Sequence, residues 1–223
     1  MSKNNNENNI ILENIISIFT IEKGTLKVLL QRKTKEPYKG YWKLPGEFLK
    51  NNLTIEQNID EILNKSIGTS NIYKEQGYTF SEINRYPNER IIATTYVALI
   101  DSKLIEIKKE TTETEDSSWF DINELPKIAF DHKEIIDKSR EQLKTKLNNT
   151  TILKKLFPSD FTLPELQNTF ENIMNIKLDR RNFRKKFITL GIIEETGYNN
   201  IGGSGRPAKL YRFKENVKEI NLF

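Results

Sequence analysis

The sequence predicts an α+β protein of two unequal parts: a mixed α/β domain, then a smaller basic domain of two short helices and a β-hairpin. Three observations carry this prediction. β-branched strand patterns surround two helical stripes in the first two thirds of the 223 residues. Two capped helices and a glycine-rich turn follow them. The charge is also uneven, with 13 Lys/Arg against 8 Asp/Glu from Thr151 to Phe223 but 22 against 23 before that point.

Residues 1–9 are polar and Asn-rich, which predicts a frayed tail and no secretory leader. Ile15-Ile-Ser-Ile-Phe19 and Leu26-Lys-Val-Leu-Leu30 flank the turn signal Glu22-Lys-Gly24, so a hairpin is expected. Pro37 to Gly46 is a loop. Thr54 can cap a helix whose stripe is Ile55, Ile59, Ile62 and Leu63, with Gly68 as its stop. Strands are expected at Tyr78–Ile83 and Arg90–Ile100, a charged hairpin or loop at Asp101–Ser118, and a short strand at Trp119–Asp121. Asp131-His132 leads into a long helix over Lys133–Leu147. Downstream, Thr162 caps a helix with Pro164 in its first turn and Glu165 three residues after the cap. Leu166, Phe170 and Ile173 form its inner stripe. Asp179 caps a second helix, apolar at Phe183, Phe187, Ile188 and Leu190, that ends at Gly191. The hairpin Ile192–Phe213, turning at Gly202–Gly205, sits where the wing of a winged helix-turn-helix belongs.

Composition narrows the function. The 36% hydrophobic and 30% charged residues suit a chain with a real core, not a disordered one. No apolar run approaches the ~20 residues of a membrane helix. There is no cysteine, which excludes disulfides, thiolate nucleophiles and Cys-ligated zinc. His132 is the only histidine, so His-rich metal sites are excluded too. No catalytic residue, metal ligand or cofactor is assigned, and a cytoplasmic location is expected.

The second basic-domain helix carries Arg180, Arg181, Asn182, Arg184, Lys185 and Lys186. Arg forks match guanine, Asn matches adenine and Lys meets phosphate, so this helix suits the major groove of double-stranded DNA. Arg206 and Lys209, at the wing tip and on its return strand, are the expected further contacts. An ordinary solvated helix face competes with this reading; the adjoining glycine-rich basic hairpin weighs against it.

Trp42-Lys-Leu-Pro-Gly46, followed by the helix ending at Gly68, resembles the loop-helix-loop signature of the Nudix fold. A working Nudix box runs G-x5-E-x7-R-E-U-x-E-E-x-G-U, with U an aliphatic residue, and its glutamates hold Mg²⁺ against a pyrophosphate. Anchored on Gly68, the box places Glu47 at its glycine, Leu53 at the first glutamate and Glu61 at the arginine. Ile62, Lys65 and Ser66 fill the three remaining glutamate positions. Nudix hydrolysis is therefore not expected. Glu56 and Asp60 share a helix face and read as solvated charge. A cleft can outlive its chemistry: Arg32, Trp42, Arg85 and Arg90, with Gly46 and Glu47 in the loop, are the candidate nucleotide-binding residues. Trp42 could equally anchor the core, and Arg85 and Arg90 could be plain surface charge.

Together with Arg85-Tyr-Pro87, Leu125-Pro126, Phe130-Asp-His132, Phe161-Thr-Leu-Pro-Glu-Leu166, Asp179-Arg-Arg-Asn-Phe-Arg-Lys185 and Gly205-Arg-Pro-Ala-Lys-Leu-Tyr211, these motifs resemble the Nudix-related transcriptional regulators of the NrtR family and its sugar-responsive relatives. The resemblance spans about Ile15 to Phe213. It implies a Nudix-like α/β/α sandwich over residues 10–148, linker helix included, and a winged helix-turn-helix over 149–223. It implies a homodimeric repressor on a palindromic operator, answering to ADP-ribose and controlling NAD biosynthesis and salvage genes, or answering to arabinose in another branch. Tyr86 and Glu47 depart from the family's usual Asp and Gly. An active Nudix pyrophosphohydrolase, and an adaptor whose basic part binds RNA or protein, are the competing functions.

Overall fold

In a computed structural model, residues 9–87, 89–105, 107, 114–147, 150–157, 160–200 and 207–215 are described. β1 (Ile11–Glu22) runs through the centre of a mixed sheet, and its residues from Glu13 to Thr20 are all buried. β2 (Thr25–Lys33) returns beside it through the Lys23–Gly24 turn, where both residues have positive φ, at 51° and 80°. Such a two-residue turn matches the twist of the paired strands. β3 (Trp42–Lys43) pairs with β2, and β4 (Gly46–Phe48) pairs with the start of β1. α1 (Ile55–Ile67) opens with a capping box between Thr54 and Gln57 and stops at Gly68, whose φ is 78°. The order and stop of α1 are the expected ones.

β5 (Tyr73–Phe80) lies at a sheet edge, antiparallel to β6 (Ile91–Leu99), which runs parallel to β1 from Ile11–Ile91 to Phe19–Leu99. The strand expected at Tyr78–Ile83 is thus displaced toward the N-terminus, and Ile83 is 73% exposed. An edge strand half in water carries little apolar alternation to locate it. After a 3₁₀ turn (Ser102–Leu104), β7 (Thr114–Asp121) pairs with β2 from Lys33 to Lys27. It begins inside the stretch expected to be hairpin or loop, because its polar residues hide all but Trp119 and Phe120.

Two helices cover the sheet. On one face Ile16, Ile18, Leu29, Tyr96 and Ala98 pack with Ile59, Ile62, Leu63 and Ile67 of α1. On the other, Ile15, Phe19, Val28 and Leu30 pack with Ile135, Ile136, Leu143 and Leu147 of α2 (His132–Leu147). That is the expected α/β/α sandwich. The same core continues through α3 (Thr150–Leu156) into the basic domain. The sequence reading did not separate α3, a helix of seven residues too short to show a period.

β8 (Phe161–Thr162) leads into α4 (Leu163–Met174) through the expected capping box: Glu165 N–H donates to Thr162 Oγ1, and Thr162 N–H donates to the Glu165 carboxylate at 2.7 Å. α5 (Arg180–Leu190) is capped by Asp179 and closed by Gly191. Phe170, Phe183 and Phe187 interlock with ring centroids 4.6–5.7 Å apart. Each contributes roughly 1.5–3 kcal/mol by burial. Ile188, expected among the inward residues, is 48% exposed instead, because it falls off the stripe of Phe183 and Phe187. β9 (Ile193–Asn200) and β10 (Ala208–Phe213) form the wing, with β8 on the other side of β10. No helix among the described residues is long and apolar enough to cross a membrane.

Candidate functional site

Two candidate sites lie one in each domain. In the basic domain, burial of Phe183 and Phe187 decides which way α5 faces. Arg180, Arg181, Asn182, Arg184 and Lys185 are left exposed, while Lys186 is half-buried. Arg180 and Arg184, one helical turn apart, line an open groove of about 710 Å³ between α5, the start of α4 and the wing residues Asn199, Pro207 and Lys209. Lys209 is not a free cation there: its Nζ lies 2.9 and 2.8 Å from the two carboxylate oxygens of Glu195 on the neighbouring strand. Lys209 holds the Glu195 carboxyl below its usual range, and the Tyr211 hydroxyl assists. The structure therefore gives Lys209 a role in closing the wing. Arg206 and the Gly202–Gly205 turn lie outside the described residues. Sequence reasoning missed Asn199 and Tyr198, the latter 73% exposed near the end of β9. Their only signal was position at the end of a wing strand.

In the sandwich domain, the signature loop is clamped from below. Leu44 N–H donates to His132 Nδ1 at 2.9 Å, so the sole histidine ties the loop to the first residue of α2. Burial, reinforced by Lys43, Arg85 and Lys33, pushes the imidazole pKa well below its ordinary value. The ring is thus a neutral acceptor at Nδ1. Gly46 is required by packing, since a Cβ there would stand 3.0 Å from Asn14 O and 3.1 Å from Ile15 Cγ1. Trp42 is half-buried and edge-on to Phe120, with centroids 4.6 Å apart, so it packs as a core anchor.

Arg85 is a correction to the sequence reading. Its side chain is 1% exposed and its nitrogens are committed: Nε and Nη2 to Asp131 at 2.8 and 2.9 Å, Nη1 to Glu13 at 3.2 Å. A guanidinium so enclosed is a strut between β1 and the start of α2, not a ligand fork. Burial pushes the Glu13 carboxyl up, and Arg85 offsets only part of that. Arg90 turns its Nη1 to the carbonyls of Ser81 and Glu82, at 2.9 and 3.2 Å. Arg32 is exposed, with Nε 3.4 Å from Gly40 O.

Around these arginines stands an aromatic cluster that sequence reasoning did not assemble. Tyr86 stacks on Phe130 at 4.7 Å, and Tyr38 meets the same ring edge-on at 4.9 Å. Lys33 lies over Phe130 at 5.2 Å. Tyr38 and Phe130 both have positive φ, 66° and 55°, a conformation that side chains of this size rarely adopt. The available signal was the placing of Tyr86 and Phe130 beside Arg85 and Asp131, whose ion pair brings them together.

Magnesium does not fit the signature. Of the box positions, Ile62 and Ser66 are buried, Ser66 accepting from Gln31, and Leu53 is half-buried. Lys65 bonds both carboxylate oxygens of Glu47, at 2.6 and 2.8 Å, and Lys50 pairs with Glu61. Asp60 is paired with Lys74 at 2.8 Å. Among the described residues no three His, Cys, Asp or Glu side chains are grouped to hold a metal ion.

Comparison with known proteins adds the following. Residues 153–213 match the model of the NrtR DNA-binding winged helix domain, and residues 13–139 match that of the NUDIX domain. The chain is 33% identical over 213 residues to the "ADPR responsive transcriptional repressor NtrR" of Acinetobacter baylyi, covering 93% of this chain and 83% of that protein. It is 31% identical over 117 residues to the ADP-ribose pyrophosphatase of Methanocaldococcus jannaschii, covering 52% and 66%. Shewanella oneidensis NrtR in complex with a 27mer DNA superposes with a TM-score of 0.74 at 28% identity, covering 91% of this chain and 93% of that one. The NUDIX domain of the same Shewanella protein, complexed with ADP ribose, matches with a TM-score of 0.54 at 27% identity, covering 60% and 89%.

Proposed function

Because the chain belongs to the NrtR family of Nudix-related transcriptional regulators, we propose that it is an ADP-ribose-responsive repressor that reads operator DNA through α5 and the wing. The observation that carries this reading is the exposed row Arg180, Arg181, Asn182, Arg184 and Lys185 on a helix whose apolar side is locked by three phenylalanines. Such a surface offers bidentate forks to base edges and point charges to phosphates. Lys186 and Arg206 are supporting contacts, while Lys209 braces the wing through Glu195. The repressed genes would be those of NAD biosynthesis and salvage, the protein acting as a cytoplasmic homodimer with half-sites about one helical turn apart.

The sandwich domain is the sensor, without hydrolytic activity. Arg32, Arg90, Trp42, Gly46 and Glu47 form the rim of its cleft, and Tyr38, Tyr86 and Phe130 offer ring faces to a base. An effector changes operator affinity only through a difference in its own affinity for the two states of the dimer. The ADP-ribose complex of the Shewanella NUDIX domain favours ADP-ribose over a sugar as effector.

The test is a gel-shift titration on DNA selected by the purified chain from a random pool. ADP-ribose should release the operator at micromolar concentrations while arabinose does not. Unchanged operator affinity at saturating ADP-ribose would overturn the gating. The likeness to a pyrophosphatase supports one rival, an active hydrolase. Turnover of ADP-ribose with Mg²⁺ near ~1 s⁻¹ would establish it instead.

A further inference from the structure

We propose that Lys65 is the cation that holds the effector's diphosphate where a working Nudix site would use a divalent metal, and that Glu47 competes with the ligand for it. The inference rests on the reading of the sandwich domain as an ADP-ribose sensor and assigns the chemistry of its charged subsite.

Two substitutions in the box belong together. Lys65 stands at a glutamate position and Glu47 at the glycine position, and the fold brings them into contact from α1 and β4. Glu47 alone would repel a diphosphate at the mouth of the signature loop. Lys65 alone would repel a metal. Together they are neutral and hold an ammonium at the place where the fold's chemistry needs positive charge. The lysine side chain is 49% exposed and the glutamate 29%, so an incoming phosphate oxygen can reach Nζ without opening the core. An ammonium has three donors and can pass from a carboxylate to a phosphate with little rearrangement.

The floor beneath the pair supplies an independent observation. Asn58, fully buried, donates Nδ2 to the carbonyl of Glu47 at 3.4 Å, and its Oδ1 has no partner. Asn14, also fully buried and the strand neighbour of Glu47, accepts from Thr94 and has no partner for Nδ2. A buried polar atom without a partner is costly and uncommon in a folded protein. Here one donor and one acceptor are left over on the two residues that touch Glu47. The Glu47 end of the pair therefore rests on a polar floor rather than an apolar one.

The experiment is isothermal titration of ADP-ribose into the full chain, once with EDTA and once with Mg²⁺. Expected are dissociation constants equal within about twofold in the two buffers, and a ~10-fold or greater weakening in Lys65→Gln. Lys65→Arg should retain most of the affinity, and Glu47→Gln should bind more tightly than the parent because its lysine is released. Lys133→Gln, which removes an equal charge from the far surface of α2, should leave binding unchanged. Binding that needs Mg²⁺, or a Lys65→Gln protein that binds as the parent does, overturns the proposal while leaving the sensor reading intact. A parent protein that takes up no ADP-ribose in either buffer overturns both.

Discussion

Acidification should weaken the fold through one residue. His132 is fully buried with Nδ1 occupied by the Leu44 N–H, and its surroundings include Lys43, Arg85 and Lys33. All of these disfavour the imidazolium, so the folded pKa lies well below the value of about 6.5 expected in the unfolded chain. The sign follows from linkage: the unfolded state binds the proton more readily, so stability is fully present above pH 6.5 and is lost as the pH falls below it. One such proton costs about 1.4 kcal/mol by pH 5.5, one unit below the unfolded value. Glu13 runs the other way, because burial raises its pKa and the folded state gains on its protonation. His132→Asn isolates the histidine. It keeps an oxygen near the position of Nδ1 to accept from Leu44, does not titrate, and leaves Glu13 in place. Urea unfolding at pH 7.5 and 5.5 measures both proteins. The parent should lose about 1.4 kcal/mol more than the variant over that interval. Parallel losses in the two proteins would refute the buried neutral histidine.

Three other outcomes can be checked independently. Arg184→Ala should weaken operator binding by ~1–3 kcal/mol in fluorescence anisotropy if the side chain reads a base, and an unchanged affinity removes it from the interface. Gly24→Ala forces a side chain into φ +80° with its Cβ 2.6 Å from Asn168 Cβ. Strain and overpacking together should cost ~2–4 kcal/mol of thermal stability, whereas a neutral effect would mean that the turn does not press on α4. Arg85→Met leaves the buried Glu13 and the half-buried Asp131 without their cation and should destabilise by ~3–5 kcal/mol. If Arg85 were instead a ligand fork, the same variant would lose ADP-ribose affinity at unchanged stability.

What the sequence disclosed and what it hid divide along physical lines. Thr54, Thr162 and Asp179 as caps, and Gly68 and Gly191 as stops, were legible because a cap acts within three or four residues of itself. The orientation of α5 was legible for the same reason: Phe183 and Phe187 mark one face, and the cations lie off it. Arg85 was misread because its partners are 46 and 72 residues away. Nothing in a linear pattern distinguishes a guanidinium facing solvent from one enclosed by two carboxylates. The Lys65–Glu47 pair was half legible, since the box alignment exposed both substitutions but not their contact. β5 and β7 were poorly placed because an edge strand and a polar strand bury too little to impose a period of two. Lys209 was counted as a free cation because its cross-strand neighbour depends on the wing register, which a bulge between Lys209 and Tyr211 shifts.

The ties between the two domains constrain how an occupied cleft can be felt at the DNA. α2 is fastened at its first turn to the signature loop by His132 and to β1 by the Asp131–Arg85–Glu13 ion pairs. Eight residues on, about 12 Å along the helix, Arg140 donates to the carbonyls of Asn172 and Ile173 in the last turn of α4, at 2.6 and 3.4 Å. The β1–β2 turn grips the same helix independently, Gly24 O accepting from Asn172 Nδ2 at 2.7 Å. α4 is therefore held by two elements that both originate in the sandwich, and α5 packs on α4 through Phe170. A displacement of Leu44 that breaks its bond to His132 acts on the first turn of a helix that packs along the sheet and, through Arg140, on the end of α4. Packed contacts of this kind exchange between discrete arrangements rather than bending smoothly. These contacts give the two domains two hydrogen-bonded ties, one through α2 by way of Leu44 and Arg140 and one through the β1–β2 turn at Gly24, and any change at the signature loop that reaches α4 has to pass through packed contacts of this kind.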